Sequence, residues 1–292
     1  MTSTHTSTSS ASSSSSVLVL GGTGKTGRRV AAALSRLGIT PKVASRSAPV
    51  RFDWADEGSW DPALAGVGAV YVVDSQGPAA PAEVRAFAAA AKTRGVRRLV
   101  LLSARVWEEL DDGSGEVFAT ERAVRESGLD WTILRPAWFN QNFTEEPWYS
   151  APLAEGELRL PAGDGRERFV DLDDLAEVAA AALTQDGHSG RVYTLSGPDA
   201  LSFHDVAEAL STASGHKVTY TPVTREQYIE EQLARGYAPD FAELMADLFL
   251  HIGANGSAAP SDGVRQALGR EPRAFGEYVR RTDFSSLGAA RG

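Results

Sequence analysis

Residues 17–30 decide the fold and read Val-Leu-Val-Leu-Gly-Gly-Thr-Gly-Lys-Thr-Gly-Arg-Arg-Val. The apolar run 17–20 is typical of a buried parallel strand, and residues 28–37 repeat apolar side chains at helical spacing. Gly21, Gly24 and Gly27 stand between them at three-residue intervals. In such a turn the first glycine permits a tight bend, the second lets backbone approach a pyrophosphate, and the third lets the helix pack on the strand. The stretch therefore predicts a dinucleotide site at a helix N-terminus, against the alternative of an ordinary glycine-rich turn.

The composition sets limits on the class of protein. The chain has 292 residues, is 42% hydrophobic and carries a formal net charge of −9, which suits a folded protein with a sizeable core. It has no Lys/Arg-rich run, so nucleic acid is not expected as a partner. The absence of cysteine excludes disulfides, thiolate metal ligands and cysteine nucleophiles, and the five scattered histidines predict no metal site.

The first 16 residues are serine or threonine except Met1, His5 and Ala11. This tail has no apolar stretch, so we expect a disordered segment and neither a signal peptide nor a membrane span. No apolar run of about 18 residues follows, which predicts a soluble, cytoplasmic protein without a membrane partner.

Strand and helix patterns alternate along the rest of the chain, which predicts an α/β fold with a doubly wound, mostly parallel sheet of the Rossmann type. Residues 17–150 are expected to form the nucleotide-binding domain. Residues 151–292 are expected to form a smaller, mixed α/β and mostly helical substrate domain, with parts of 165–200 packing back on the sheet. Further strands are predicted at 40–47, 50–54, 68–73, 96–102, 131–136 and 191–195, and helices at 61–64, 81–93, 117–127, 171–183 and 241–252.

The end of the second predicted strand indicates which dinucleotide is bound. The acidic residue that would hold a free ribose 2′-hydroxyl is missing there, and Arg46 stands between Ser45 and Ser47, with Lys25 in the glycine loop. A cation and hydroxyl groups suit a 2′-phosphate, so NADP(H) is favoured over NAD; the alternative is a solvated surface arginine. The predicted cofactor contacts are Gly21, Thr23, Gly24, Lys25, Thr26, Gly27, Ser45, Arg46, Ser47, Asp53 (beside the adenine), Asp74, Ser75, Ser103, Pro136 and Ala137.

Several longer motifs together resemble one family. They are Ala44-Ser-Arg-Ser47, Phe52-Asp-Trp54, Leu101-Leu-Ser-Ala104, Leu134-Arg-Pro-Ala-Trp-Phe139, Asn142-Phe143 and Gly197-Pro198, in addition to the glycine loop. With them the chain resembles the NmrA-like branch of the atypical short-chain dehydrogenases, and within it the ergot-alkaloid group of festuclavine and agroclavine dehydrogenases, over residues 17–284. The resemblance implies an NADP(H)-binding Rossmann domain and the reduction of a cyclic imine or iminium.

The catalytic pair of the conventional short-chain dehydrogenases is missing. They use a serine together with Tyr-x-x-x-Lys, and no Tyr-x-x-x-Lys occurs in this chain; Phe118 and Arg122 stand on the corresponding helix. Ser103 follows the fifth predicted strand, where the serine is expected, and Ser103 and Asp74 are the catalytic candidates. Ketone reduction needs a proton donor, whereas hydride addition to an iminium leaves a neutral amine.

This chemistry favours an NADPH-dependent reductase acting on a C=N bond of a small nitrogen heterocycle in a secondary-metabolite pathway. The alternatives are an NADP-binding redox sensor without turnover and a reductase of quinones, enones or ketones. The protein is expected to be a monomer or a homodimer.

An aromatic and amide-rich segment is predicted to contact the substrate. Its side chains could hold a cationic ring by cation–π attraction, or serve domain packing. The candidates are Gln76, Trp138, Phe139, Asn142, Phe143 and Trp148.

Overall fold

A computed structural model describes residues 16–256, 258–285 and 287. Its strands are β1 Ser16–Leu20, β2 Lys42–Ser45, β3 Val50–Arg51, β4 Val67–Val72, β5 Arg98–Leu102, β6 Asp130–Pro136, β7 Glu157–Leu160, β8 Arg166–Glu167, β9 Arg191–Leu195, β10 Leu201–Ser202 and β11 Thr219–Pro222. Seven of them form a parallel sheet in the order β3-β2-β1-β4-β5-β6-β9. The strand order reverses between β1 and β4, so the predicted doubly wound Rossmann sheet is confirmed.

Helices cover both faces of this sheet and form most of the remaining chain. They are α1 Lys25–Arg36, α2 Trp60–Leu64, α3 Ala80–Thr93, α4 Val106–Leu110, α5 Ala119–Arg125, α6 Asn142–Glu145, α7 Pro147–Ala154, α8 Leu172–Thr184, α9 Phe203–Ser214, α10 Arg225–Ala234, α11 Pro239–Gly253, α12 Gly263–Leu268 and α13 Phe275–Arg281. Short 3-10 turns precede α2 and α5, at Glu57–Ser59 and Glu116–Phe118.

One face of the sheet packs against α1 and α8. Val30, Ala33 and Leu34 of α1 are buried there, as their helical spacing predicts. Leu37 was expected on the same face but lies just beyond the helix and is exposed. The other face packs against α2, α3 and α5 around Phe87 and Trp60.

The chain after β6 contributes to two cores. Buried side chains between Val170 and Leu195, together with Val264, join the core that α1 and α8 form with the sheet, and β9 is the last strand of that sheet. A separate aromatic core contains side chains from Phe143 to Leu287, with β7 paired to β11 and β8 to β10 beside it. The division into two domains near residue 150 stays a prediction.

Local sequence signals placed several helix starts correctly. The Asp171 carboxylate accepts a hydrogen bond from the backbone N–H of Asp173 at 2.9 Å and caps α8. Two capping boxes, Ser202 with Asp205 and Thr224 with Gln227, begin α9 and α10.

Other boundaries differ from prediction for physical reasons. The third strand is only β3, because residues 52–54 turn out of the sheet as Phe52 and Trp54 pack against Trp60 and Phe87. The helix predicted at 117–127 begins as a 3-10 turn after Gly115, which has a φ of +69°, and continues as α5.

The predicted serine- and threonine-rich tail falls almost wholly outside the described residues. Ser16, assigned to that tail, belongs instead to β1, and its backbone N–H donates to the carbonyl of Gly66 at 3.2 Å. Across the described ranges, every helix is too short or too polar to cross a membrane.

Candidate functional site

The glycine loop forms a tight cradle between β1 and α1. Gly21 has a φ of +60°, and its carbonyl accepts from the Gly24 N–H at 2.8 Å. A Cβ on Gly27 would lie 2.4 Å from the Gly21 carbonyl oxygen, so only glycine fits this contact between helix and loop. No side chain caps α1, and Thr23 and Gly24 are exposed. Free N–H groups at an open helix start fit a pyrophosphate.

Arg46 comes directly after β2, at the edge of the sheet. Ser45 Oγ accepts from the backbone N–H groups of Ser47 and Ala48 at 3.2 and 3.0 Å and shapes the turn. Arg46 is exposed and makes no hydrogen bond or ion pair with any described residue. Its charge is therefore available to an anionic ligand.

The predicted adenine contact, Asp53, takes part in a turn. Its carboxylate accepts from the Ala55 N–H at 3.2 Å and lies 3.7 Å from Arg51. Its carbonyl accepts from the Trp60 indole N–H at 3.0 Å, and the neighbouring Trp54 indole donates to the carbonyl of Val73. These contacts join the ends of β3 and β4, and contact with adenine stays a prediction.

The loop after β4 holds Asp74, Ser75 and Gln76. Burial raises the pKa of Asp74, opposed by hydrogen bonds from the Gln76 N–H and the Thr120 hydroxyl. Ser75 is exposed and donates to Glu83 at 2.5 Å. Gln76 has a φ of +57° and is also exposed. The loop lies at the carboxyl edge of the sheet beside the glycine loop, since β1 and β4 are parallel neighbours.

A buried ion cluster lies behind the ends of β5 and β6. The Glu121 carboxylate, 2% exposed, accepts from Ser103 Oγ at 2.7 Å and from two nitrogens of Arg135 at 2.8 and 2.6 Å. Arg135 also donates to Glu108 at 2.5 Å, and its guanidinium lies 4.3 Å from the Phe118 ring centroid. Burial alone would lower the pKa of Arg135, but the hydrogen bonds from its guanidinium to Glu121 and Glu108 raise it.

The segment after β6 is bound to α1 by charged side chains. Lys25 Nζ donates to Asn142 Oδ1 at 2.7 Å and to Glu146, and lies 5.1 Å from the Phe139 ring centroid. Glu145 pairs with Arg28 and Arg29. Burial raises the pKa of Glu145, but the hydrogen bonds from these arginines outweigh it and lower the pKa. The ammonium of Lys25 therefore contacts the aromatic segment, and its role toward a 2′-phosphate stays a prediction.

The predicted substrate residues divide into accessible and buried groups. Trp138 and Trp148 are half-buried with ring centroids 5.8 Å apart, and Trp138 stacks on Phe249 at 5.4 Å. Phe143 is completely buried against Tyr149 and Phe169. The Phe143 ring thus belongs to the aromatic core, and its contact with substrate stays a prediction.

Pro136 and Ala137 are buried where β6 ends. The Pro136 carbonyl accepts from the Arg105 N–H at 2.9 Å, and the Ala137 N–H donates to Leu195 at 2.8 Å. These bonds hold the turn into the aromatic segment next to Ser103, since β5 and β6 are parallel neighbours.

Sequence reasoning missed Gly22, Glu121, Arg135 and Asn140. A Cβ on Gly22 would lie 2.6 Å from the Val43 side chain, so this glycine permits the approach of β2. Asn140 is fully buried, and neither polar atom of its amide has a hydrogen-bond partner among the described residues. Arg135 stood in a quoted motif, but nothing in the sequence paired it with Glu121. The described residues contain no group of three or more histidine or acidic side chains arranged for a metal.

Comparisons with known proteins identify the cofactor class of the cradle. The NAD(P)H-binding family profile matches residues 21–186. An uncharacterized oxidoreductase of Bacillus subtilis, YesF, is 35% identical over 90% of this chain and 93% of its own length. The NAD(P)H azoreductase of Xenophilus azovorans is 32% identical over 94% and 100%. Festuclavine dehydrogenase of Aspergillus fumigatus is 30% identical over 90% and 96%.

A solved structure supports the same assignment over the whole fold. The triphenylmethane reductase of Citrobacter sp., crystallised with NADP(H), superposes with a TM-score of 0.77 at 26% identity, covering 91% of this chain and 99% of that one. The sequence resemblance to the NmrA-like reductases is thereby confirmed.

Proposed function

We propose a function from the premise that this chain belongs to the NmrA-like family of NAD(P)H-binding oxidoreductases. The protein binds NAD(P)H and belongs to a family that reduces small molecules. The finer proposal is that it uses NADPH to reduce a C=N bond, as an imine or iminium, in a small nitrogen heterocycle.

The observation that carries the proposal is Phe118. It lies just before α5, where the sequence predicts the counterpart of the proton-donating tyrosine of a conventional short-chain dehydrogenase, and its ring packs on the Arg135 guanidinium. Phenylalanine cannot donate a proton, and Arg122 is directed away to the carbonyl of Gly115 and to Glu116. An iminium suits this arrangement. Hydride addition to its carbon leaves a neutral amine, so neither the carbon nor the neighbouring nitrogen needs a proton in that step.

The proposed cofactor contacts lie along the carboxyl edge of the sheet. The N–H groups at the start of α1 would hold the pyrophosphate, and Arg46 would hold the 2′-phosphate. Bound NADPH supplies the hydride. The ends of β4, β5 and β6 would enclose the nicotinamide with Asp74, Ser103, Pro136 and Ala137.

The substrate would lie between this edge and the aromatic segment. Trp138 and Trp148 are partly exposed aromatic residues, and cation–π attraction to an indole ring contributes roughly 0.5–2 kcal/mol. Asp74 at the same edge would favour a positive charge whenever it is ionised. The ion pairs between α1 and residues 145 and 146 would keep the aromatic segment close to the glycine loop.

The proposal is tested by following NADPH consumption with paired substrates. A cyclic iminium, N-methyl-3,4-dihydroisoquinolinium, should oxidise NADPH, and a ketone of similar ring size, 1-tetralone, should react poorly. Trp138→Ala should weaken iminium selection more than NADPH binding. Trp131→Ala is the matched control, because Trp131 lies near the opposite end of β6 against Arg125.

Three outcomes separate the alternatives. Turnover of quinones or ketones without turnover of iminium would contradict the substrate class and retain a reductase. Tight NADPH binding without consumption across iminium, enone, quinone and azo compounds would favour the redox sensor. A gain of iminium turnover in Phe118→Tyr would contradict the argument that no acid is needed.

A further inference from the structure

The Ser103 hydroxyl has a fixed hydrogen-bond direction. Ser103 lies just after β5, at the carboxyl edge of the sheet, and is partly exposed. Its Oγ donates to Glu121 Oε1 at 2.7 Å. A hydroxyl has one proton and two lone pairs, so Ser103 Oγ in this arrangement can only accept a further hydrogen bond.

The Glu121 carboxylate is itself held in place. Arg135 donates to both of its oxygens, and Arg125 donates to Oε2 at 3.0 Å, so the buried acid is matched by cations on either side. A second carboxylate, Glu108, balances Arg135 and accepts from the Thr194 hydroxyl at 3.1 Å. The cluster of Glu121, Arg135, Arg125 and Glu108 is neutral overall, with Glu121 as the acceptor of the Ser103 proton.

Rotation of the hydroxyl toward a ligand carbonyl is unfavourable. It would exchange a charge-assisted hydrogen bond with a buried carboxylate for a neutral one, and hydrogen bonds to ionised acceptors are roughly twice as strong. A carbonyl or quinone oxygen beside Ser103 Oγ would therefore meet lone pairs. An N–H group in the same place would find an acceptor.

We infer that Glu121 fixes Ser103 as a hydrogen-bond acceptor for an N–H group of the bound ligands. Two sources share this chemistry: the protonated nitrogen of the substrate and the carboxamide of the nicotinamide. The inference rests on the proposed function, because it places the reacting ligands beside β5. It makes Ser103 a specificity-determining residue and Glu121 its positioning residue, and it excludes Ser103 as the proton donor of a carbonyl reduction.

The experiment measures binding rather than turnover. Calorimetry of the NADP⁺-saturated protein gives the affinities for 1,2,3,4-tetrahydroisoquinoline, a protonated cyclic amine, and for isochroman, its oxygen counterpart. Fluorescence titration gives the affinity for NADPH. The variants are Ser103→Ala, which leaves the Glu121–Arg135 pair in place, and Ser103→Thr, which retains a hydroxyl.

Ser189→Ala is the matched control. Ser189 Oγ also donates to a carboxylate, that of Asp130 at 2.9 Å, but at the opposite end of β6. This variant should keep all three affinities.

If Ser103 accepts a hydrogen bond from the substrate N–H, Ser103→Ala should lower the affinity for the amine about tenfold, about 1.4 kcal/mol. The affinities for isochroman and NADPH should then be unchanged. If Ser103 instead accepts from the carboxamide N–H of the nicotinamide, the affinity for NADPH should fall by a similar factor. The ratio of the amine affinity to the isochroman affinity should then be unchanged. Ser103→Thr should restore the affinity in either case.

Glu121→Ala offers a second, opposite readout. It removes the acceptor of the Ser103 proton and frees the hydroxyl to donate, so the preference should shift from amine toward ether, provided thermal melting shows a folded protein.

The inference is overturned if Ser103→Ala leaves the amine, ether and NADPH affinities all unchanged, or if it weakens isochroman more than the amine. Failure of the wild-type protein to bind either heterocycle would contradict the proposed substrate class alone. The NADPH titration of Ser103→Ala would then decide the acceptor role by itself.

Discussion

Replacement of Gly27 by alanine tests the close contact on which the cofactor cradle depends. The new Cβ would lie 2.4 Å from the Gly21 carbonyl oxygen, 2.7 Å from Gly22 Cα and 2.8 Å from the Gly21 carbonyl carbon. All three are backbone atoms that cannot rotate away, so α1 must shift. Overpacking of this kind costs about 1–3 kcal/mol. The helix propensity of alanine over glycine offsets up to about 1 kcal/mol of this cost, which leaves a net loss of up to about 2 kcal/mol.

The shift should also displace the N–H groups that face the pyrophosphate, so NADPH affinity should fall at least about tenfold. Gly276→Ala is the matched control, since Gly276 also lies in the first turn of a helix, and its added Cβ would meet only the Arg280 side chain at 3.5 Å. Chemical denaturation and fluorescence titration measure the two effects. Equal stability and equal NADPH affinity in Gly27→Ala and Gly276→Ala would refute the reasoning.

Three further perturbations probe the site and the contacts around it. Arg46→Ala should remove most of an NADPH-over-NADH preference of at least about tenfold, because the exposed guanidinium has no other described partner; equal affinities in the wild type would contradict the assignment. Arg135→Met should lower the free energy of unfolding by about 3–5 kcal/mol, because it leaves buried Glu121 without its main cation; denaturant titration showing a loss below about 1 kcal/mol would contradict this account. Glu145→Gln should lose up to about 1 kcal/mol of stability at neutral pH. The folded-state pKa of Glu145 lies below its ordinary value of 4.5. The stability difference between the wild type and Glu145→Gln should therefore be complete above pH 4.5 and vanish as the pH falls through the lower folded pKa. A stability difference that grows in acid would contradict this account.

The fold could be predicted from the sequence because its signals are local. The strand, glycine turn and helix at residues 17–36 follow one another without interruption, and the caps at Asp171, Ser202 and Thr224 involve residues two or three positions apart. Such patterns act within one turn of backbone, so the sequence shows both partners together.

The candidate site was harder to predict because its contacts join distant residues. Lys25 meets Glu146 across 121 positions, and Glu121 meets Arg135 from a different element. Phe143 and Trp138 have the same aromatic character in the sequence, but only the packing of the aromatic core distinguishes the buried ring from the partly open one. Leu37 likewise continued the apolar spacing of α1 and became exposed because the helix ends before it.

Transfer of deuterium tests the central claim most directly. The protein is incubated with NADPH carrying two deuterium atoms at C4 of the nicotinamide and with N-methyl-3,4-dihydroisoquinolinium, and the product is analysed by NMR and mass spectrometry. The account predicts one deuterium on the carbon beside nitrogen, much slower labelling by Gly27→Ala at an NADPH concentration near the wild-type Kd, and slow reaction of 1-tetralone under the same conditions. Label appearing only in a ketone- or quinone-derived product, with the iminium unchanged, would contradict it.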